Sequence, residues 1–212
     1  MDDIKRICAR LRAEAEHPAA DPAEALAALR ADGSFKGVEY FNSDRMIWSA
    51  DKHIRYLKTM VEAAYSPGNS HCGDASLKEA IGRALTYWET CGRVDSDNWW
   101  WKEIGLPQLI LPILILAPAE MTASQKALLE READAGSILH ESPEAGMTER
   151  PVSSVGANLT DKLVTTFRIY AASGKVQELE QVMALLDNEL RVFPRVEPGE
   201  FSADGQGIKP DG

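Results

Sequence analysis

Apolar residues in this chain return every three to four positions in segment after segment, and nowhere do they alternate in period two over a useful run. Ile4, Ile7, Cys8 and Leu11 make one such stripe, and Ile54, Leu57, Met60, Val61, Ala64 and Tyr65 another. Leu77, Ala80, Ile81, Ala84, Leu85 and Trp88 sit at i, i+3, i+4, i+7, i+8 and i+11, the clearest helical face in the chain. Leu159, Leu163, Val164, Phe167, Tyr170 and Ala171 form a further stripe. Val176, Leu179, Val182, Met183, Leu186 and Leu190 form the last. Start signals agree with the periodicity. Asp21-Pro22-Ala23-Glu24 puts an acid before a first-turn proline, Ser76…Glu79 spells a capping box, and Thr122…Gln125 spells another behind Met121 as a staple. The pattern predicts about eight helices and no sheet. Successive helical hairpins of this kind stack as a solenoid or curve into a ring. No self-similar period of about 34 or 40 residues is present, which disfavours a standard repeat array.

With 212 residues there is enough chain for one substantial core or for two small domains. The longest apolar run, Leu106 to Ala117, contains Pro107, Gln108 and Pro112 and falls far short of the ~20 residues that span a bilayer. It reads as a buried helix kinked at Pro112. A formal charge of −10 argues against nucleic acid or an anionic membrane as partner. Cys8, Cys72 and Cys91 show no CxxC spacing, and His17, His53, His71 and His140 are scattered, so no metal site and no cofactor is indicated. No secretory leader opens the chain, which fits a cytoplasmic protein or a natural start elsewhere. Three stretches lack periodicity: residues 32–48, rich in turns and aromatics, residues 140–157, and the Pro/Gly-rich segment 193–212.

The stretch DNWWWKEIGLPQLI, 97–110, concentrates three of the five tryptophans. Consecutive helical side chains lie about 100° apart, so Trp99, Trp100 and Trp101 fan over roughly 200°, and a core-facing stripe holds two of them at most. One reading makes two of them core and the third a rim residue. The other makes them a stacking platform for the C–H face of a sugar ring, with Asn98 hydrogen-bonding beside it. A second polar stretch, Val155-Gly156-Ala157-Asn158-Leu159-Thr160-Asp161, also supports two readings. Asn158 caps the helix that follows, or it offers an amide to an anion at a helix N-terminus.

Taken in order, DGSFKGVEY (32–40), HIRYL (53–57), NWWWKEIGLPQ (98–108), VGANLTDK (155–162) and GQGIKPDG (205–212) resemble polysaccharide lyase family 8, which holds chondroitin AC, hyaluronan and xanthan lyases. The similarity runs from about residue 30 to the end. It implies an all-α fold, an incomplete (α/α) toroid built from helical hairpins, with residues 1–212 as the N-terminal portion of a single lyase domain. Trp99 and Trp100 match the family's aromatic patch, Asn98 precedes them as in the pattern, and Asn158 matches the asparagine that contacts the uronate carboxylate. Trp101 departs from the pattern, where a polar or acidic residue is usual. The implied partner is an acidic polysaccharide, and the implied place of action of the parent enzyme is extracellular or periplasmic.

The implied reaction is β-elimination, in which a base removes the C5 proton of a uronic acid and the bond to the 4-oxygen breaks. That proton is barely acidic while the neighbouring carboxylate keeps its charge, so donors at the carboxylate are needed, and a neutral amide donates in every protonation state. The family's proton-transferring His and Tyr lie beyond the segment resembled by GQGIKPDG, and no His or Tyr of this chain occupies a matching position. Turnover is therefore not expected from these residues alone, and an incomplete ring with unpartnered apolar faces is expected to self-associate. Two other functions fit the same residues. One is a carbohydrate-binding helical module without catalysis; the other is an (α/α)-barrel glycoside hydrolase drawing on Glu103, Asp97 and Asp161.

Overall fold

The computed structural model describes residues 2–140 and 156–189; most of the 140–157 stretch, the 193–212 segment and the motif GQGIKPDG lie outside the described residues. Eight α-helices are present among them: α1 (Asp2–Ala15), α2 (Ala23–Ala28), α3 (Asp51–Tyr65), α4 (Ala75–Thr90), α5 (Leu106–Leu116), α6 (Ala123–Asp134), α7 (Gly156–Ser173) and α8 (Val176–Glu189). A π-helical turn, Trp101–Gly105, leads directly into α5. The described residues contain no strand; one antiparallel bridge joins Leu29 to Phe35.

Side by side, α3, α5 and α7 form one layer, and α4 and α6 pack together behind it, with α8 folded back on α7. From α3 onward each odd helix is followed by an even one that packs against it, so this part of the chain advances by helical hairpins, as a toroid requires. Across α5 and α7 lies α1. The apolar stripes meet in one cluster reaching from Leu11 to Val182, with Ile54, Leu57, Met60, Ile81, Ile110 and Ile113 fully buried.

Local chemistry explains where the helices begin. The Thr122…Gln125 capping box forms as the pattern predicts, with both reciprocal bonds present. On α4 the cap is one residue pair earlier than Ser76: Asp74 accepts from the backbone N–H groups of Ser76 and Leu77, and the Ser76 hydroxyl donates to the same carboxylate. A carboxylate is the stronger acceptor and draws the cap position to itself. Pro112 sits inside α5, which continues past it to Leu116.

The 32–48 region is a crossing loop, as expected, but it is anchored to the core. Tyr40 Oη accepts the Phe35 N–H at 2.9 Å and lies 2.9 Å from His53 Nδ1, while His53 Nε2 lies 3.0 Å from the Ala84 carbonyl. Only one tautomer satisfies all three groups: Nε2–H donates to Ala84 and Nδ1 accepts from Tyr40. Gly33, at φ +90°, passes so close to the Arg83 carbonyl that a Cβ would stand 2.1 Å from its oxygen. Two of the quoted motifs, DGSFKGVEY and HIRYL, therefore meet as a buried structural joint.

Candidate functional site

Asn98 ends the loop and starts the tryptophan helix. Its Oδ1 accepts the Trp100 N–H at 3.1 Å, its carbonyl accepts the Trp101 N–H, and its Nδ2 donates to the Arg45 carbonyl at 3.3 Å. The loop is fastened there a second time, since the Asp97 N–H donates to the Ser43 carbonyl and Trp48 Nε1 donates to the Val94 carbonyl. A side chain that bonds the backbone two residues on is what nucleates a helix from a turn.

The three tryptophans then take three different environments. Trp99 is 45% exposed. Trp100 is half-buried and packs edge-on against Trp101 at 5.1 Å. Trp101 leans on the core, 5.8 Å from the buried Trp48, with the Arg55 guanidinium 5.7 Å from its ring centre. It also lines a cavity of about 290 Å³ with Trp48, Lys102, Arg131 and Glu132. Trp101, the departure from the family pattern, is thus a packing residue.

The π-helical turn sets these directions. Leu106 N–H reaches the Trp101 carbonyl, five residues back, so one residue more than usual is wound into the turn. Gly105 is needed under it: a Cβ there would stand 2.5 Å from the Trp100 ring and 2.7 Å from the Trp101 ring. Gly136, after α6, is needed against it, since a Cβ would stand 1.7 Å from the Glu103 carbonyl oxygen.

Helix α7 packs on this turn. Lys162 is nearly buried; its Nζ lies 2.5 Å from Glu103 Oε2 and 5.7 Å from the centre of the Trp99 ring. Asn158 lies four residues before Lys162 and so shares its face of α7, with Cβ atoms about 5–6 Å apart. Helical side chains lean toward the N-terminus, which tilts the Lys162 stem toward the Asn158 turn. The helix starts at Gly156, so Asn158 stands within its first turn, half-buried, where backbone N–H groups lack helical acceptors. Among the described residues its side chain has no hydrogen-bond partner, so a capping role leaves it unexplained. Lys162 was quoted in VGANLTDK without a role; its four-residue spacing from Asn158 was the signal that could have found it.

Glu103 and Lys162 are paired with each other at this turn, and the hydrogen-bonded Tyr40–His53 pair is buried in the core. Burial holds the His53 imidazole down at about 3 and drives the Tyr40 hydroxyl well above its ordinary range, so this hydrogen-bonded His–Tyr pair stays neutral and sealed. His71 faces Asp74, and His140 faces Asp134. Of the carboxylates named for a hydrolase, Glu103 is paired with Lys162, and Asp97 accepts from Ser43 Oγ at 3.3 Å. The described residues thus offer an exposed indole at Trp99 and, on α7 one turn before Lys162, a first-turn amide at Asn158.

Comparison with known proteins shows the family and the fold. The profile of the polysaccharide lyase family 8 N-terminal alpha-helical domain matches residues 1–205, so it extends over α1 and α2, which the motif resemblance did not reach. Chondroitinase-AC of Pedobacter heparinus is 31% identical over 140 residues, covering 64% of this chain and 18% of that protein. Xanthan lyase of Bacillus sp. (strain GL1) is 29% identical over 133 residues, covering 52% and 14%. A chondroitinase AC lyase solved with oligosaccharides superposes with a TM-score of 0.71 at 23% identity, over 92% of this chain and 28% of that one, a likeness of fold. This chain therefore spans less than a fifth of the length of either sequence relative.

Proposed function

The chain belongs to polysaccharide lyase family 8, and we propose that it forms the first part of the catalytic toroid of an enzyme that cleaves a uronic-acid-containing polysaccharide by β-elimination. Trp99 carries a sugar ring on its exposed face, with Trp100 as the shelf beside it. Asn98 holds the tryptophan turn to the loop and keeps one Nδ2 hydrogen for a sugar hydroxyl. Asn158 donates to the uronate carboxylate, aided by the positive end of the α7 helix dipole. What supports this reading is the packing of α7 on the π-helical turn, where Lys162, one turn past Asn158, reaches both Glu103 and the Trp99 ring.

In the elimination, a base takes the C5 proton, negative charge flows onto the carboxylate, and the C4–O4 bond breaks with a proton returned to the leaving oxygen. Asn158 lowers the cost of the charge at the carboxylate. The proton carriers belong to the rest of the enzyme, and residues 1–212 alone bind without turnover. The substrate is an acidic polymer of the chondroitin, hyaluronan or xanthan kind, which places the parent enzyme outside the cytoplasm. No helix among the described residues is long and apolar enough to cross a membrane. Val164, Val176 and Met183, exposed on α7 and α8, give a part-ring an apolar face through which to self-associate.

The test joins these residues to the downstream part of a family 8 lyase and follows the ultraviolet absorbance of the unsaturated product. Asn158→Ala should lower kcat by about 10²–10³ with little change in KM. An unaltered kcat refutes the amide's role. New reducing ends without absorbance would mean hydrolysis, and binding with neither signal would mean a module without catalysis.

A further inference from the structure

Lys162 is an expensive residue to place where it is, and neither the elimination chemistry nor the packing of the core asks for it. A nearly buried ammonium is costly unless its charge is met, and its carboxylate partner Glu103 is itself one-third exposed. An apolar side chain of the same length would fill the space between α7 and the π-helical turn at less cost. The charge therefore has a task, and its position states which one.

Among the described residues the head group reaches a carboxylate on the π-helical turn and the face of the one exposed indole. The stem rises from α7 one turn after Asn158. Of the three tryptophans, Trp100 is fixed by Trp101 and the Gly105 backbone, and Trp101 by Trp48; Trp99 has the Lys162 ammonium. We infer that Lys162 is a positioning residue: bonded to Glu103 and set over the Trp99 ring, it holds the sugar platform at a fixed attitude to the Asn158 amide. The inference rests on the reading of Trp99 as a platform and adds to it the part that aligns the two halves of the site. A cation on one face of an indole also leaves the opposite face for the ligand, so the contact orients the ring without occupying it.

Binding of uronate-containing oligosaccharides to the 212-residue chain, measured by titration calorimetry, tests this together with acrylamide quenching of tryptophan emission. Lys162→Met should weaken affinity about 2- to 10-fold, the cost of ordering one freed side chain on binding. It should also raise the quenchable share of emission that Trp99→Ala removes. In a Trp99→Ala background the lysine change should cost nothing further, and Lys162→Arg, which keeps charge and reach, should recover most of the affinity. A merely structural lysine would instead weaken both backgrounds equally. Wild-type affinity in Lys162→Met, where Trp99→Ala alone lowers it, overturns the positioning role and leaves the platform standing. Unchanged affinity in both variants overturns the platform and the inference with it. Should Lys162→Met fail to fold, Glu103→Gln at the exposed end of the same pair carries the test, with the same expected direction and the same refuting result.

Discussion

Tyr40 and His53 show how far a suggestive pair of side chains can lie from chemistry. The family resemblance implies a His and a Tyr as proton carriers, yet in Tyr40 and His53 both groups face inward and every side-chain polar atom of the pair has an assigned partner. Burial is the first cause of the low value of His53, and the Arg93 charge adds to it, against the pull of the Ala84 carbonyl. The consequence is measurable as stability. In the unfolded chain His53 takes up a proton near its ordinary 6.5, whereas in the fold it resists until about 3. Below pH 6.5 the unfolded state therefore binds more protons, so the contribution of His53 is complete above that pH and drains away as pH falls toward 3. Between pH 7 and 5.5 the loss should be about 1 kcal/mol. Asp32, Asp74 and Glu120, all held below their ordinary values, add their own losses only in more acid solution. Glu132, raised by burial, works in the opposite sense just above 4.5. The urea midpoints of the native chain and of His53→Gln, compared at pH 7 and 5.5, isolate the effect. Parallel shifts in the two proteins would mean that His53 is not kept neutral by the fold.

At the scale of the element, the π-helical turn decides what the three tryptophans do. An α-helix of the same residues would leave the 100° fan intact but rotate it against α5 by one residue step, about 100°. The extra residue is accommodated because Gly105 lets two indoles lie on the backbone, and because Gly136 lets the segment after α6 approach the Glu103 carbonyl. Lys102, exposed in the middle of the turn, is the residue to remove. Its deletion should restore an ordinary helical turn and keep far-ultraviolet helicity, while oligosaccharide affinity falls at least 10-fold as Trp99 swings off the α7 side; retained affinity would divorce the turn from the site. None of this was legible in the sequence. The stripes of α3 and α4 were, because burial repeats with the helical period and writes itself into residue type; those of α7 and α8 were in part, since Val164, Val176 and Met183 lie exposed. A π-helical turn repeats nothing, and its signature of Gly105 with a distant Gly136 makes sense only once the backbone is folded. The start of α4 was half legible: Asp74 and Ser76 are both capping residues, and which one the chain uses depends on the competition between a carboxylate and a hydroxyl. Asn158 was legible as a polar residue at a helix start, four residues before Lys162; its placement inside the first turn, and the reach of Lys162 to Glu103 and Trp99, were not.

The whole molecule carries a net charge of −10, and its proposed ligand is a polyanion. A protein that grips such a polymer through lysines and arginines loses affinity steeply with salt, because binding releases the counterions condensed on the chain. The proposed site is built otherwise. Its cation Lys162 is bound to Glu103, its amide is neutral, and its contact surface is an indole, so counterion release has little to act on. What salt does change is the repulsion between the acidic body and the approaching polymer, which reaches about 30 Å at 0.01 M and about 8 Å at 0.15 M. Over that range the affinity of the 212-residue chain for a uronate oligosaccharide should stay level or rise. A log–log slope of affinity against salt can be read from four or five titrations. A slope near zero or positive fits stacking plus a neutral donor. A slope of about −2 or steeper would mean that two or more free cations make the contact, and the site would then have to be sought at basic side chains such as Arg45, Arg55 and Lys102 rather than at Trp99 and Asn158.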